Sequence, residues 1–257
     1  TRLLPPPDAG TLVVGISDSG TSKETVEAFD RYRGHSVCVA VTEQPGSALA
    51  SDADTVIPML AGPEAGGIAC RTFQHTGLIL RLLEAHLVGG GLDFASLCAR
   101  VADASSELLD RRGEWLEAVA DLLDSADGVH VIGPAERWSA VAQSALVVRE
   151  GPRRPATASE TGDWNHVDVY LTKTTDYRAL LLTGSPYDSD AMEWVRSRGS
   201  TVVALGSPAA GARFELGYRG ALDDEVALYT ETLVAELVAG SWWQRQEGLP
   251  QTSGSVS

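Results

Sequence analysis

Lysine is nearly missing from this chain. Of its 20 basic residues only Lys23 and Lys173 are lysines, so a mechanism that needs an amine has two candidates. Positive charge as a whole is scarce, and 35 acidic residues leave a formal net charge of −15. That balance argues against nucleic acid or an anionic membrane as the main partner. A small anion stays compatible, because a local helix N-terminus can outweigh a distant negative surface. Cysteine is limited to Cys38, Cys70 and Cys98, odd in number, in apolar surroundings and without metal-like spacing. They read as buried thiols of a reducing compartment. The five histidines show no i, i+4 or His-x-His pairing, so no metal is expected, and no cofactor is. No apolar run reaches the roughly 18 residues of a membrane span, and no signal-like segment precedes the first strand. A cytoplasmic chain is expected.

What is present is ordinary for a globular protein: 257 residues, 44% hydrophobic and 21% charged, enough for one large or two small domains. Strand-like apolar runs alternate with helical ones, the pattern of a parallel sheet covered by helices. The first unit reads as strand 11–16, helix 22–33, strand 36–41, a short helix near 46–51, strand 54–58 and a long helix from about 68 to 88. Thr1 to Gly10, with three prolines, is an extended entry. Val88-Gly89-Gly90-Gly91 breaks the chain. Helical spacing returns over 93–126 as one helix or a pair. A second unit follows: strand 129–133, helix 136–149, a strand from Thr157 running into a turn at Gly162, then 166–171. Strand 180–182, helix 188–198, strand 201–205, a short strand near 213–216 and a last helix over about 223–244 complete it. The polar residues 251–257 read as disordered.

The most informative segment is Ser17-Asp18-Ser19-Gly20-Thr21-Ser22, at a strand-to-helix turn. Backbone N–H groups at a helix N-terminus suit a phosphate, short hydroxyls add donors, and Gly20 allows close approach. Ordinary N-capping explains one or two of these residues, and it does not need four hydroxyls. No Gly-Lys-Ser/Thr closes a Walker A loop. Leu180 to Ser185 repeats the same strand-then-Gly/Ser order in the second unit, a weak internal duplication.

These segments resemble the sugar isomerase (SIS) family, in particular its two-domain members, such as the isomerase half of the glucosamine-6-phosphate synthases and the amino-sugar-phosphate deaminase/isomerases. The loop at 17–22 is similar to the family's Ser-x-Ser-Gly-x-Thr/Ser phosphate loop. Pro45-Gly46-Ser47 with Ala53-Asp54, and Gly62-Pro63-Glu64 with Thr72-Phe73, resemble stretches that follow it. Arg149-Glu150 ends a helix where family members carry a catalytic glutamate. Gly162-Asp163-Trp164-Asn165-His166 resembles the segment whose histidine is associated with sugar ring opening.

The resemblance, over roughly residues 9–240, implies an α/β chain of two tandem three-layer αβα domains with parallel sheets. The implied divisions are a first domain over 1–90 without its opening strand and helix, connecting helices over 91–126, a second domain over 127–246, and a tail from 247. It implies a phosphosugar aldose–ketose isomerase or amino-sugar-phosphate deaminase/isomerase, and the other reading is a non-catalytic phosphosugar-binding module. Glu150 would be the base between C1 and C2, and His166 would open the ring, often across a subunit boundary. Ser17, Asp18, Ser19, Gly20 and Ser22, with Glu64, would hold the phosphosugar. A homodimer or higher homo-oligomer with shared sites is implied.

Departures are specific. The family's first strand and its Gly/Ser turn have no counterpart, Asp163 replaces glutamate, and Arg71 stands where the synthases have lysine. Only Arg245 approaches the synthases' C-terminal lysine. No glutaminase domain is present, so amidotransfer is not expected. A catalytic Glu150 calls for partial burial, which would bring its pKa toward working pH. His35 reads as a solvated turn residue, and His75, His86 and His130 as structural. Trp242-Trp243 reads as packing or subunit interface.

Overall fold

A computed structural model describes residues 4–248. Contacts divide the chain into two units, one ending at Leu92 and the other beginning at Asp93.

The first unit holds strands β1 (Leu12–Ile16), β2 (Val37–Thr42) and β3 (Thr55–Pro58), with helices α1 (Lys23–Asp30) and α2 (Arg71–Val88). The sheet runs β1-β2-β3, all parallel, with Val13 opposite Cys38 and Ala40 opposite Val56. β2 is central and reads Val-Cys-Val-Ala-Val-Thr because both its faces are covered. Cys38 and Ala40 pack with Phe29, Tyr32 and Leu49, whereas Val39 and Val41 pack with Met59, Val14 and Ile57. Gly15 is required by the close approach of α1. A Cβ there would lie 2.7 Å from the Phe29 ring and 2.9 Å from Leu49.

The entry segment is extended, as its prolines imply, and it is pinned to the unit. Tyr32 Oη donates to the Pro5 carbonyl at 2.8 Å, and Ser36 Oγ to that of Asp8 at 2.8 Å. The short helix expected near 46–51 is instead a run of turns, with Ser47 N bonding Gln44 O and Ser51 N bonding Ser47 O. Pro45 and Gly46 favour turns over a helix, and Leu49 N goes outward to Gly20 O.

The second unit opens with α3 (Phe94–Asp110) and α4 (Arg112–Leu123). Helix α3 buries Leu97, Val101, Ala104 and Leu108, one stripe at helical spacing, and Asp93 caps it by accepting from Ser96 N at 3.0 Å. Then come β4 (Val129–Gly133), α5 (Trp138–Glu150), β5 (Ala156–Glu160), α6 (Thr161–His166), β6 (Arg178–Leu182), α7 (Asp188–Arg198), β7 (Thr201–Leu205), β8 (Phe214–Leu216), α8 (Asp224–Thr230) and α9 (Thr232–Glu247). The sheet is parallel throughout, in the order β5-β4-β6-β7-β8.

Strand alternation gives this sheet two apolar faces. Ile132, Ala179, Leu181, Val202 and Ala204 meet Trp164 of α6 and Met192 and Val195 of α7. The opposite face carries Val131, Leu180, Leu182, Val203 and Leu205, all buried, toward α5 and α4. A Cβ on Gly133 would lie 2.7 Å from Val141 of α5, which shows how closely that helix seats.

Two segments differ from the sequence expectation. The turn expected at Gly162 is the short helix α6, because the Glu160 carboxylate caps it by accepting from Asp163 N at 2.9 Å. A 3-10 turn over Asp168–Lys173 follows. The last helix divides at Glu231, which is fully buried, and continues to Glu247. That end places Glu247 in a helix, and the rest of the expected tail, from 249 on, lies outside the described residues. Trp242 is core, its Nε1 donating to Ala120 O at 3.1 Å.

Candidate functional site

The loop between β1 and α1 is held open by its own chemistry. Ser17 is buried, and its Oγ receives Gly20 N at 3.1 Å and lies 3.0 Å from Ser22 Oγ. Gly20 adopts φ +62°, and a Cβ there would fall 1.9 Å from Ser47 Oγ, so only glycine fits. The Asp18 carbonyl is anchored by Thr42 Oγ1 at 3.0 Å and Glu43 N at 3.2 Å. With the backbone fixed, Asp18, Ser19, Thr21 and Ser22 are exposed. Ser19 and Thr21 pair hydroxyl to hydroxyl at 2.9 Å. Ser22 sits at the N-cap of α1 without a side-chain capping bond, which leaves the first turn of α1 facing solvent beside these hydroxyls. Backbone N–H groups at a helix start beside short hydroxyls are chemically able to take an anion.

Glu64 does not join the loop's hydroxyls in any hydrogen bond. One of its oxygens accepts from Cys70 N at 2.9 Å, Thr72 N at 2.8 Å and Thr72 Oγ1 at 3.1 Å, so it caps α2. The other lies 3.8 Å from Arg71 Nε.

In the second unit Glu150 ends α5 and His166 ends α6. These helices lie on opposite faces of the sheet. The reason is topological: β4 leads through α5 outward to β5, and β5 leads back across β4 to β6. Right-handed crossovers in opposite directions place their helices on opposite sides. Glu150 and His166 of one chain are therefore carried on opposite sides of the sheet. Both are exposed, so the partial burial expected of a base at Glu150 is not present in the single chain.

His166 borders a cleft of about 790 Å³ between α6 and α7, lined also by Glu160, Asp163, Tyr187, Asp190 and Trp194. Among the described residues no group of three His, Cys, Asp or Glu side chains is placed to hold a metal ion. No helix there is long and apolar enough to cross a membrane.

Sequence reasoning missed a buried ionic cluster at the C-terminal ends of β4 and β6. Arg137 is 2% exposed and Glu231 0%, with Arg137 Nε donating to Glu231 Oε2 at 2.9 Å. The guanidinium also bonds Asp224 and the Thr183 carbonyl. Tyr218 Oη donates to Glu231 Oε1 at 3.3 Å. Burial, opposed by Arg137, pushes the Glu231 carboxyl up to about 7. The signal in the sequence was faint, since Glu231 stands between Thr230 and Thr232 in a largely apolar run that also holds Glu236.

His130, read as structural, is buried in β4 and stacked on Tyr177 with centroids 4.2 Å apart. Burial lowers its pKa, with the Asp168 charge acting the other way.

Comparison with known proteins gives a consistent picture. The family model of the SIS domain matches residues 1–84. The isomerizing glutamine–fructose-6-phosphate aminotransferase of Aeropyrum pernix is 32% identical over 222 residues, covering 77% of this chain and 34% of that protein. The chain spans about a third of the length of the curated relatives it matches first. Among solved structures, the C-terminal domain of glucosamine-fructose-6-phosphate aminotransferase from Francisella tularensis is similar at TM-score 0.76 and 18% identity, over 94% of this chain and 73% of that one. Tagatose-6-phosphate ketose/aldose isomerase from Escherichia coli is similar at TM-score 0.74 and 18% identity, over 97% and 73%. At that identity the likeness carries the fold, an α/β architecture with parallel sheets.

Proposed function

The chain belongs to the SIS-domain family, and from that premise we propose that it is a phosphosugar aldose–ketose isomerase, with deamination of an amino-sugar phosphate as a variant of the same chemistry. In this reading the two units are tandem SIS-type domains. The observation that carries the reading is the uncapped start of α1 flanked by Ser17, Ser19, Thr21 and Ser22.

In this scheme the phosphate sits on the N–H groups of the β1–α1 loop, with the serines as donors and Asp18 accepting from sugar hydroxyls. His166 transfers a proton between the ring oxygen and the C1 hydroxyl as the ring opens. Glu150 then removes the C2 proton and returns it at C1 through an enediol. Each such acid–base step is worth about 10²–10⁴-fold in rate. Glu64 shapes the site by capping α2. The opposed positions of Glu150 and His166 support a homo-oligomer in which each site takes its base from one copy and its histidine from another.

The test is proton exchange at C2 in heavy water, followed by NMR on a phosphosugar already shown to bind. Wild type exchanges, Glu150→Gln binds without exchanging, and His166→Asn slows cyclic sugars more than an acyclic analogue. Mixing the two variants under subunit exchange restores part of the activity on cyclic sugars. If a bound phosphosugar never exchanges in wild type, the isomerase reading fails. The exposure of Glu150 in the single chain then favours a binding module.

A further inference from the structure

His166 stands in a segment too short to hold itself. Helix α6 has six residues, and an isolated helix of that length is not stable in water. Side chains on either side of His166 fix its backbone instead. Two residues before it, Trp164 is fully buried and its Nε1 donates to Tyr177 Oη at 2.6 Å. Two residues after it, Asp168 accepts from Ser159 Oγ of β5. His166 itself is exposed between these two anchors.

Both anchors lead to one buried histidine. The Tyr177 ring that receives Trp164 lies on the ring of His130, with centroids 4.2 Å and planes 20° apart. Strand alternation turns His130 to the face of β4 that carries Ile132, the face that packs with Trp164. From the 3-10 turn the Asp168 charge acts on His130. Its partners across β5 and β6 are Thr157 and Ala179, neither of which titrates. His130 Nδ1 is buried without a hydrogen-bond partner. A neutral ring can leave that nitrogen unprotonated, whereas an imidazolium has two N–H groups to satisfy. Asp168 therefore has two competing partners: the Ser159 hydroxyl while His130 is neutral, and His130 once it is charged.

We propose that His130 and Tyr177 are positioning residues for His166, holding segment 164–168 by both ends, and that a proton on His130 draws Asp168 from Ser159 and shifts His166. The placement of His166 by this stack does not depend on the function proposed above, whereas an effect on ring opening rests on that reading. Burial, opposed by Asp168, keeps His130 neutral below its ordinary 6.5, so the shift belongs to the acid side of that value.

The experiment follows the ring C–H signals of the histidines by NMR against pH, assigned with single-site variants. In wild type the His166 signals should show two inflections, one from its own titration and one where His130 titrates. His130→Phe keeps a ring on Tyr177 but takes no proton, so the second inflection should vanish while His166 keeps its wild-type shifts at neutral pH. His130→Ala removes the stack, and should move the His166 signals and speed amide exchange over 164–168. A residue that only stabilised the fold would give no second inflection. A single inflection in wild type overturns the switch, as does a His130 that takes no proton before the fold melts. Unchanged His166 signals in a folded His130→Ala overturn the positioning. If that variant does not fold, Tyr177→Phe decides, since it removes only the acceptor of Trp164, and unaltered His166 signals there count equally against the proposal. On a phosphosugar shown to bind, His130→Ala should lower kcat for cyclic sugars by up to about 10²-fold, with KM and the acyclic analogue little changed. If no phosphosugar reacts in wild type, the functional reading fails while the NMR signals still decide the positioning.

Discussion

Replacing Arg137 by methionine tests whether the second unit is held by its buried charges or merely tolerates them. The side chain is 2% exposed and its partner Glu231 0%, so the substitution leaves a carboxylate in a space water does not reach. It also leaves the Thr183 carbonyl without its guanidinium donor. Breaking one side of a buried pair costs about 3–5 kcal/mol. For a unit of this size 1 kcal/mol shifts the melting midpoint by about 2–4 °C, so a fall of about 6–20 °C is expected. Glu231→Leu alone orphans the guanidinium and should cost a similar amount, softened by the exposed Asp224 that remains beside it. The double variant Arg137→Met/Glu231→Leu removes both charges from an apolar setting and should recover most of the loss. Replacing a whole buried pair with apolar side chains is often close to neutral. Chemical denaturation of the four proteins, followed by the tryptophans, all six of which lie in the second unit, gives the coupling. Near-additive losses, with a double variant as weak as the sum of the singles, would refute the account.

Three further outcomes follow from the same structure. Ser17→Ala/Ser19→Ala should abolish stabilisation by a phosphosugar, which reaches about 2.7 kcal/mol at 100 times its dissociation constant, while the unliganded melt shifts little. Gly15→Ala should destabilise the first unit by about 1–3 kcal/mol, since its Cβ meets Phe29 and Leu49 below contact distance, and an unchanged denaturation midpoint counts against that packing. His130 has a folded pKa below the ordinary 6.5, so it favours folding above pH 6.5 and that contribution is lost as pH falls through the folded value. His130→Gln should flatten the fall in stability as pH drops below about 6.5, and an identical slope in the variant rejects His130 as its source.

Strands with both faces covered were easy to read in the sequence, because an unbroken run such as Val37 to Thr42 has few other uses. The hydroxyl loop was legible for a similar reason, as its residue types have a local meaning at a helix start. The relation between Glu150 and His166 was not. It depends on β4 lying between β5 and β6, and chain order does not say where a strand is inserted. Arg137 stayed hidden because nothing local marks it. An arginine shortly after Gly133-Pro134 is a common surface residue until partners from Thr183 to Glu231 gather round it. The segment near 46–51 read as a short helix, whereas Leu49 N bonds Gly20 O instead and the run is one of turns.

The insertion of β4 also sets a timetable for synthesis. Val129–Gly133 gains β5 as a neighbour soon after it is made, but its other edge waits for β6, where His130 pairs with Ala179. At roughly 5–20 residues per second a ribosome needs several seconds to add that stretch. During the wait the most buried strand of the second unit is an open, apolar edge on a nascent chain, while β1, β2 and β3 have already been completed. Slow translation through 134–178 prolongs that exposure, and this interval is where a holdase chaperone protects the growing chain most.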